Sequence, residues 1–218
     1  MKTPIGSAIA SRSLPAVGCA LVGVCAAVAD LYLASEGSSY ARRWIPGLLA
    51  FGVLFVLSGR DPMTLGLRAR PIQGCAFWIK ASGIALLGIT LAIGLVFLVM
   101  KLLGVAIPVY TTAPSQVPAA LLHMCVNAPL AEETVYRAVI CVAFVPLLRP
   151  WGTVVVSGAL FALLHVIYGN PSPENAMGGL VLAWAYLRSG TILLPLLWHS
   201  LGNLLVLGVQ LAGWFLTT

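Results

Sequence analysis

Apolar residues run along this chain in long, nearly unbroken stretches separated by short polar breaks. A stretch of about 20 such residues is long enough to cross a bilayer as a helix. Seven candidates occur, over residues 14–35, 44–58, 81–103, 117–148, 151–167, 176–187 and 191–216. The pattern predicts an all-α, polytopic integral membrane protein with about seven transmembrane helices, within a range of six to eight. The fourth stretch is too long for one straight helix, and Asn127-Ala128-Pro129 offers a break inside it. Proline suits the first turn of a helix, so Pro129 is expected to restart it, with Asn127 as the cap.

Composition agrees with lipid as the main solvent. Of 218 residues, 60% are hydrophobic and 8% are charged, against roughly 25% charged in soluble domains. No soluble module is visible, so residues 1–218 are read as a single membrane domain. The net charge of +6 would suggest nucleic acid in a soluble protein. Here the basic residues lie between apolar runs, so no nucleic-acid partner is expected and membrane lipid is the natural one.

Those basic residues also orient the chain. With the N-terminus in the cytoplasm, Lys2, Arg12, Arg60, Arg68, Arg70, Lys80, Arg149 and Arg188 fall inside. Arg42, Arg43 and Lys101 fall outside, and Arg137 lies within a span. The cytoplasmic excess satisfies the positive-inside rule. The first span ends in Ala27-Val28-Ala29, which resembles a signal-peptidase site, yet it is long enough to cross. The longest polar stretch, residues 59–80, is expected at the cytoplasmic interface. Cys19, Cys25, Cys75, Cys125 and Cys141 show no CxxC pairing and read as small residues of the apolar runs.

Charge inside a span is where chemistry is expected. The acidic residues are Asp30, Glu36, Asp61, Glu132, Glu133 and Glu174, and two of them are adjacent within an apolar run that also holds Arg137. Each charge at the bilayer centre costs about 2.5–3.5 kcal/mol. Glu133 and Arg137 stand four apart with the acid first, the favourable order for an intrahelical pair. Glu132 lies about 100° around the helix from Glu133, so the two are not expected to share a cavity. That reading leaves Glu133–Arg137 as a clasp and Glu132 as the reactive carboxylate.

Two further spans carry His165, after Phe161, and His199, four residues before Asn203. His199 and Asn203 share a helical face and are expected to offer donors to one spot. His123 and Asn127 repeat the HxxxN spacing, but they lie beside the expected break and are read as structural. Counting rise per residue, Glu132 and His165 lie roughly 20–25 Å from the inner side and His199 roughly 12 Å. Those depths conflict.

Glu132 to Arg137 reads EExxxR, Phe161 to His165 FxxxH and His199 to Asn203 HxxxN. Together they resemble the signatures of the CAAX-protease and bacteriocin-processing family, which includes the type II CAAX prenyl endopeptidases. Leu65-Gly66-Leu67-Arg68 resembles a family feature ahead of the core. Tyr136 stands where phenylalanine is usual, and Ala138 where glycine is common. The resemblance implies an intramembrane endopeptidase with a core over about 117–216. Its substrate would be a peptide or protein with a membrane-embedded or lipidated segment, cut near its terminus.

The resemblance further implies that Glu132 and His165 activate a water while His199 and Asn203 stabilise the oxyanion. Glu133, Arg137, Phe161 and Tyr136 would support them. The family implies catalysis without a cofactor. The alternative is zinc held by Glu132, His165 and His199, a two-histidine, one-carboxylate set. A non-enzymatic immunity or regulatory protein on the same scaffold is a competing reading, as is a proton-coupled transporter. A prokaryotic plasma membrane is the expected location.

Overall fold

A computed structural model of the chain describes residues 5–6, 16–105 and 110–217. Lys2, Arg12 and the first two residues of the first expected span lie outside the described residues. The elements are helical. Helix α1 is Ala16–Ser35, α2 Tyr40–Leu57 and α3 Cys75–Leu102. A 54-residue helical run, Pro114–Ile167, then turns at Arg149, whose φ of 57° and ψ of 169° leave the helical region. Pro150 accounts for the turn, since a residue before proline is pushed out of the α region. The run is therefore α4 (residues 114–148) and α5 (residues 150–167). Helix α6 is Pro173–Ser189 and α7 Leu193–Thr217.

By length and composition, five helices among the described residues can cross a membrane, or six when the long run is divided at Arg149. The expected seven is not reached on those grounds. Helix α6 has 17 residues, about 25 Å of rise, which falls short of a typical hydrocarbon core of about 30 Å.

The break expected at Asn127-Ala128-Pro129 is absent, and Asn127 does not cap. The helix continues through Pro129 by widening into a π-helix over His123–Asn127. A proline ring collides with the carbonyl four residues back, here that of Cys125, and the wider turn moves it aside. In the widened turn the Ala128 N–H reaches the His123 carbonyl, five residues back. Five beyond Met124 is Pro129, which has no N–H. The Met124 carbonyl is instead taken by the Asn203 side-chain amide of α7, at 2.6 Å. A second π-helix covers Thr134–Cys141. There the Tyr136 carbonyl accepts from the Ser157 hydroxyl of α5 at 2.8 Å. Both widened turns are thus tied to neighbouring helices through a carbonyl.

The residues around Leu65-Gly66-Leu67-Arg68, in the stretch expected at the interface, dock onto the bundle, where Thr64 and Leu65 are fully buried. Gly66 has a φ of 70°, and a Cβ there would come within 2.6 Å of the Tyr186 ring. The absent side chain lets the Tyr186 hydroxyl donate to the Leu65 carbonyl at 2.7 Å. The Ile192 N–H donates to Gly66 O at 2.9 Å, and Thr191 donates to Arg68 O. These bonds bury the turn between α6 and α7, with Ser189 and Thr191 inaccessible. Helix α7 therefore starts inside the protein, not at its edge.

Helix α3 stands apart. Among the described residues, none in its most apolar 18-residue window is buried. It joins the bundle through its first two turns, where Trp78 packs edge-on against Trp184 and Trp198. Ser82 accepts from the Trp198 indole at 2.8 Å.

Candidate active site

Three buried carboxylates meet two buried guanidinium groups where α1, α2, α4, α5 and α7 converge. Asp30, Glu132, Glu133, Arg43 and Arg137 are each at most 2% exposed. The widened α4 carries the two glutamates and Arg137. Helices α5 and α6 close against it at Gly158 and Gly179, where a Cβ on Gly179 would lie 2.9 Å from the Gly158 carbonyl. That close approach brings the Gly179 carbonyl to Nη2 of Arg137, at 3.3 Å.

Glu133 and Arg137 form the expected pair, with Oε2 3.1 Å from Nε. It is a contact ion pair rather than an aligned hydrogen bond, since neither atom has a hydrogen-bond partner. The Arg137 guanidinium also lies over the Phe161 ring, 4.6 Å from its centre.

The two glutamates nevertheless share one partner. His199 holds Nδ1 2.8 Å from Glu133 Oε1 and Nε2 3.8 Å from Glu132 Oε2. The expectation of separate cavities rested on a 100° rotation between neighbouring Cα positions. An imidazole presents nitrogens on two sides, and one ring spans that rotation. An ionised Glu133 can only accept, so Nδ1 of His199 donates to it.

His165 is half-buried at the far end of α5. Its Nδ1 lies 2.9 Å from the Phe161 carbonyl, which can only accept, so the free ring nitrogen is Nε2. Phe161 stands between the two histidines, with ring centres 4.5 Å from His165 and 5.7 Å from His199. The Asn203 amide nitrogen, expected to serve one spot with His199, gives one hydrogen to Met124 O at 2.6 Å. One of its two N–H bonds remains.

Four residues escaped the sequence reading. Arg43, assigned to an outer loop, is buried and pairs with Asp30 through Nε at 2.8 Å and Nη2 at 2.9 Å. Asp30 also accepts from the Tyr136 hydroxyl at 2.9 Å, a bond that the usual phenylalanine could not make. The Arg43 guanidinium lies between the Tyr40 and Tyr168 rings, 5.1 and 5.0 Å from their centres. The Tyr40 hydroxyl is 3.4 Å from Glu132 Oε1. An acid in the first apolar run was the available signal, since it bears the same insertion cost as Glu132.

His123 is neither in the site nor remote from it. Its ring packs 4.9 Å from that of Tyr40. It lines an open cavity of about 590 Å³ with Thr112, Gln116 and Asn127 among its walls.

The zinc alternative finds no ready geometry. Among the described residues no three His, Cys, Asp or Glu side chains converge closely enough to hold a metal ion.

Residues 114–205 match the family model described as type II CAAX prenyl endopeptidase Rce1-like. Over this segment the chain is similar to the CAAX-protease family. The match takes in α4 to α6 and the first half of α7, and so every motif residue from Glu132 to Asn203. The family is one of proteases, hydrolases acting on a peptide or protein, and with its long apolar helices the chain is an integral membrane protein. No curated protein and no solved structure matches the chain. Helices α1 and α2, which supply Asp30, Arg43 and Tyr40, lie outside the matched CAAX-protease segment.

Proposed function

We propose that this protein is a glutamate-dependent intramembrane endopeptidase that cleaves a membrane-embedded or lipidated peptide substrate near its terminus. The observation that carries the reading is the state of Glu132. It is buried and faces His199, and among the described residues no arginine pairs with it directly, whereas Glu133 and Asp30 each hold one. Such a carboxylate is free to take a proton.

In this mechanism Glu132 accepts a proton from a water held with Nε2 of His165, and the water oxygen adds to the peptide carbonyl carbon. Nδ1 of His199 already faces Glu133, so His199 donates to an oxyanion when both ring nitrogens carry hydrogen. Its Nε2–H and the remaining N–H of Asn203 are the donors for the oxyanion, which such fixed groups stabilise strongly in a dry site. On collapse the C–N bond breaks and the leaving nitrogen takes the proton from Glu132. The N-terminus in the cytoplasm of a prokaryote, seven crossings and a single domain fit this reading.

Two reporters in proteoliposomes test it: a farnesylated peptide with a CAAX terminus, and a peptide ending in one apolar helix. Glu132→Ala, His165→Ala and His199→Ala should each reduce cleavage by about 10²–10⁴-fold, the range for loss of acid–base catalysis. Cleavage that survives in Glu132→Ala sinks the proposal. Metal analysis of the active protein tests the cofactor: stoichiometric zinc, with activity lost on stripping and regained on return, overturns the metal-free form.

A further inference from the structure

We infer that Tyr40, on a helix outside the matched segment, is a positioning residue for Glu132. The inference rests on the proposed role of Glu132 as the proton acceptor.

Glu132 has two carboxylate oxygens with different neighbours. Oε2 faces the His199 imidazole at 3.8 Å, and Oε1 faces the Tyr40 hydroxyl at 3.4 Å. A carboxylate on a long side chain keeps its orientation only if something holds each end, and Tyr40 holds the end that His199 does not. The hydroxyl donates, so it leaves the basic lone pairs of Oε2 aimed at the site. At 3.4 Å the contact is long for O–H···O, and catalytic hydrogen bonds often tighten only once substrate is bound.

Tyr40 is itself fixed from both faces. The Arg43 guanidinium lies 5.1 Å from its ring centre, and Arg43 is locked bidentate to Asp30. The His123 ring packs against it at 4.9 Å. The phenol therefore reaches Glu132 from a braced base. Its ring touches His123, which lines the open cavity, and its hydroxyl reaches Glu132. On this account α1 and α2 are part of the catalytic apparatus, transmitted through one hydroxyl.

The test is Tyr40→Phe beside Tyr40→Leu, with turnover normalised to folded protein on the farnesylated reporter. Phenylalanine keeps the packing on Arg43 and His123 and removes only the hydroxyl. A positioning role gives a roughly tenfold lower kcat in Tyr40→Phe with KM and thermal unfolding near the native values. A structural role moves stability without this split. Native kcat in Tyr40→Phe, or a loss confined to Tyr40→Leu, overturns the inference. Glu132→Ala serves as the control. If it is inactive while Tyr40→Phe is fully active, only this inference falls; if Glu132→Ala still cleaves, the proposed function falls and takes the inference with it.

Discussion

The side-chain amide of Asn203 donates to the backbone carbonyl of Met124, an acceptor left without a helical donor because residue 129 is proline. The bond fixes α7 against the widened turn of α4, and so fixes His199 against the two glutamates. Asn203→Ala is expected to cost about 1 kcal/mol for the lost bond to a half-buried carbonyl. Pro129→Ala supplies an N–H that can take over. In a double-mutant cycle read by thermal unfolding, the Asn203→Ala penalty should shrink by roughly 1 kcal/mol in the Pro129→Ala background. Strict additivity would show that the amide does not serve that carbonyl.

The two glutamates should separate by phenotype. Glu133→Gln leaves Arg137 as a buried, uncompensated charge, for which about 3–5 kcal/mol is the usual penalty. Glu132→Gln removes a carboxylate with no arginine of its own and should leave unfolding nearly unchanged while abolishing cleavage. Thermal melts in detergent alongside turnover distinguish the two. Equal destabilisation by both would contradict the division of roles.

Asp30 and Arg43 should behave as one unit. Asp30→Ala is expected to destabilise by about 3–5 kcal/mol, and the double variant Asp30→Ala, Arg43→Met by less, because no charge is then left unpaired. Tyr136→Phe deletes only a hydrogen bond to that pair and should cost about 1.5–3 kcal/mol. Yield and melting temperature of the three variants provide the check.

Gly66→Ala tests the docked loop. A methyl group 2.6 Å from Tyr186 on a backbone with φ of 70° must displace the ring or the loop. A loss of about 1–3 kcal/mol for such a backbone position is expected, together with faster proteolysis around residues 60–70. An unchanged digestion pattern would mean that the loop does not depend on this approach.

Much of the site was legible in the sequence for one reason: a charge in an apolar run is too costly to be incidental. That reasoning found Glu132, Glu133 and Arg137, and the histidines followed from spacing. It stopped short at Asp30 and Arg43. Asp30 was counted among the acids without a role and Arg43 as an outside charge, because their pairing joins two helices and leaves no periodic trace. The π-turns were hidden for a related reason. Pro129 signals a disturbance, but whether a helix breaks or widens depends on a donor in another helix, here Asn203. Rotation about the helix axis also misjudged the glutamates, since it locates Cα atoms and not the reach of a two-nitrogen ring.

The Asp30–Arg43 pair bears on how the protein enters the membrane. Without the other helix, α1 would carry Asp30 and α2 would carry Arg43 unpaired into lipid, each at up to about 2.5–3.5 kcal/mol near the centre. The two residues lie 13 apart in sequence, joined by a turn of four residues between Ser35 and Tyr40. The first helix therefore gains its counter-charge as soon as the second has emerged. Biogenesis should favour delivery of α1 and α2 as a closed hairpin, with a ribosome pause or truncation before Arg43 leaving Asp30 exposed to the insertion machinery.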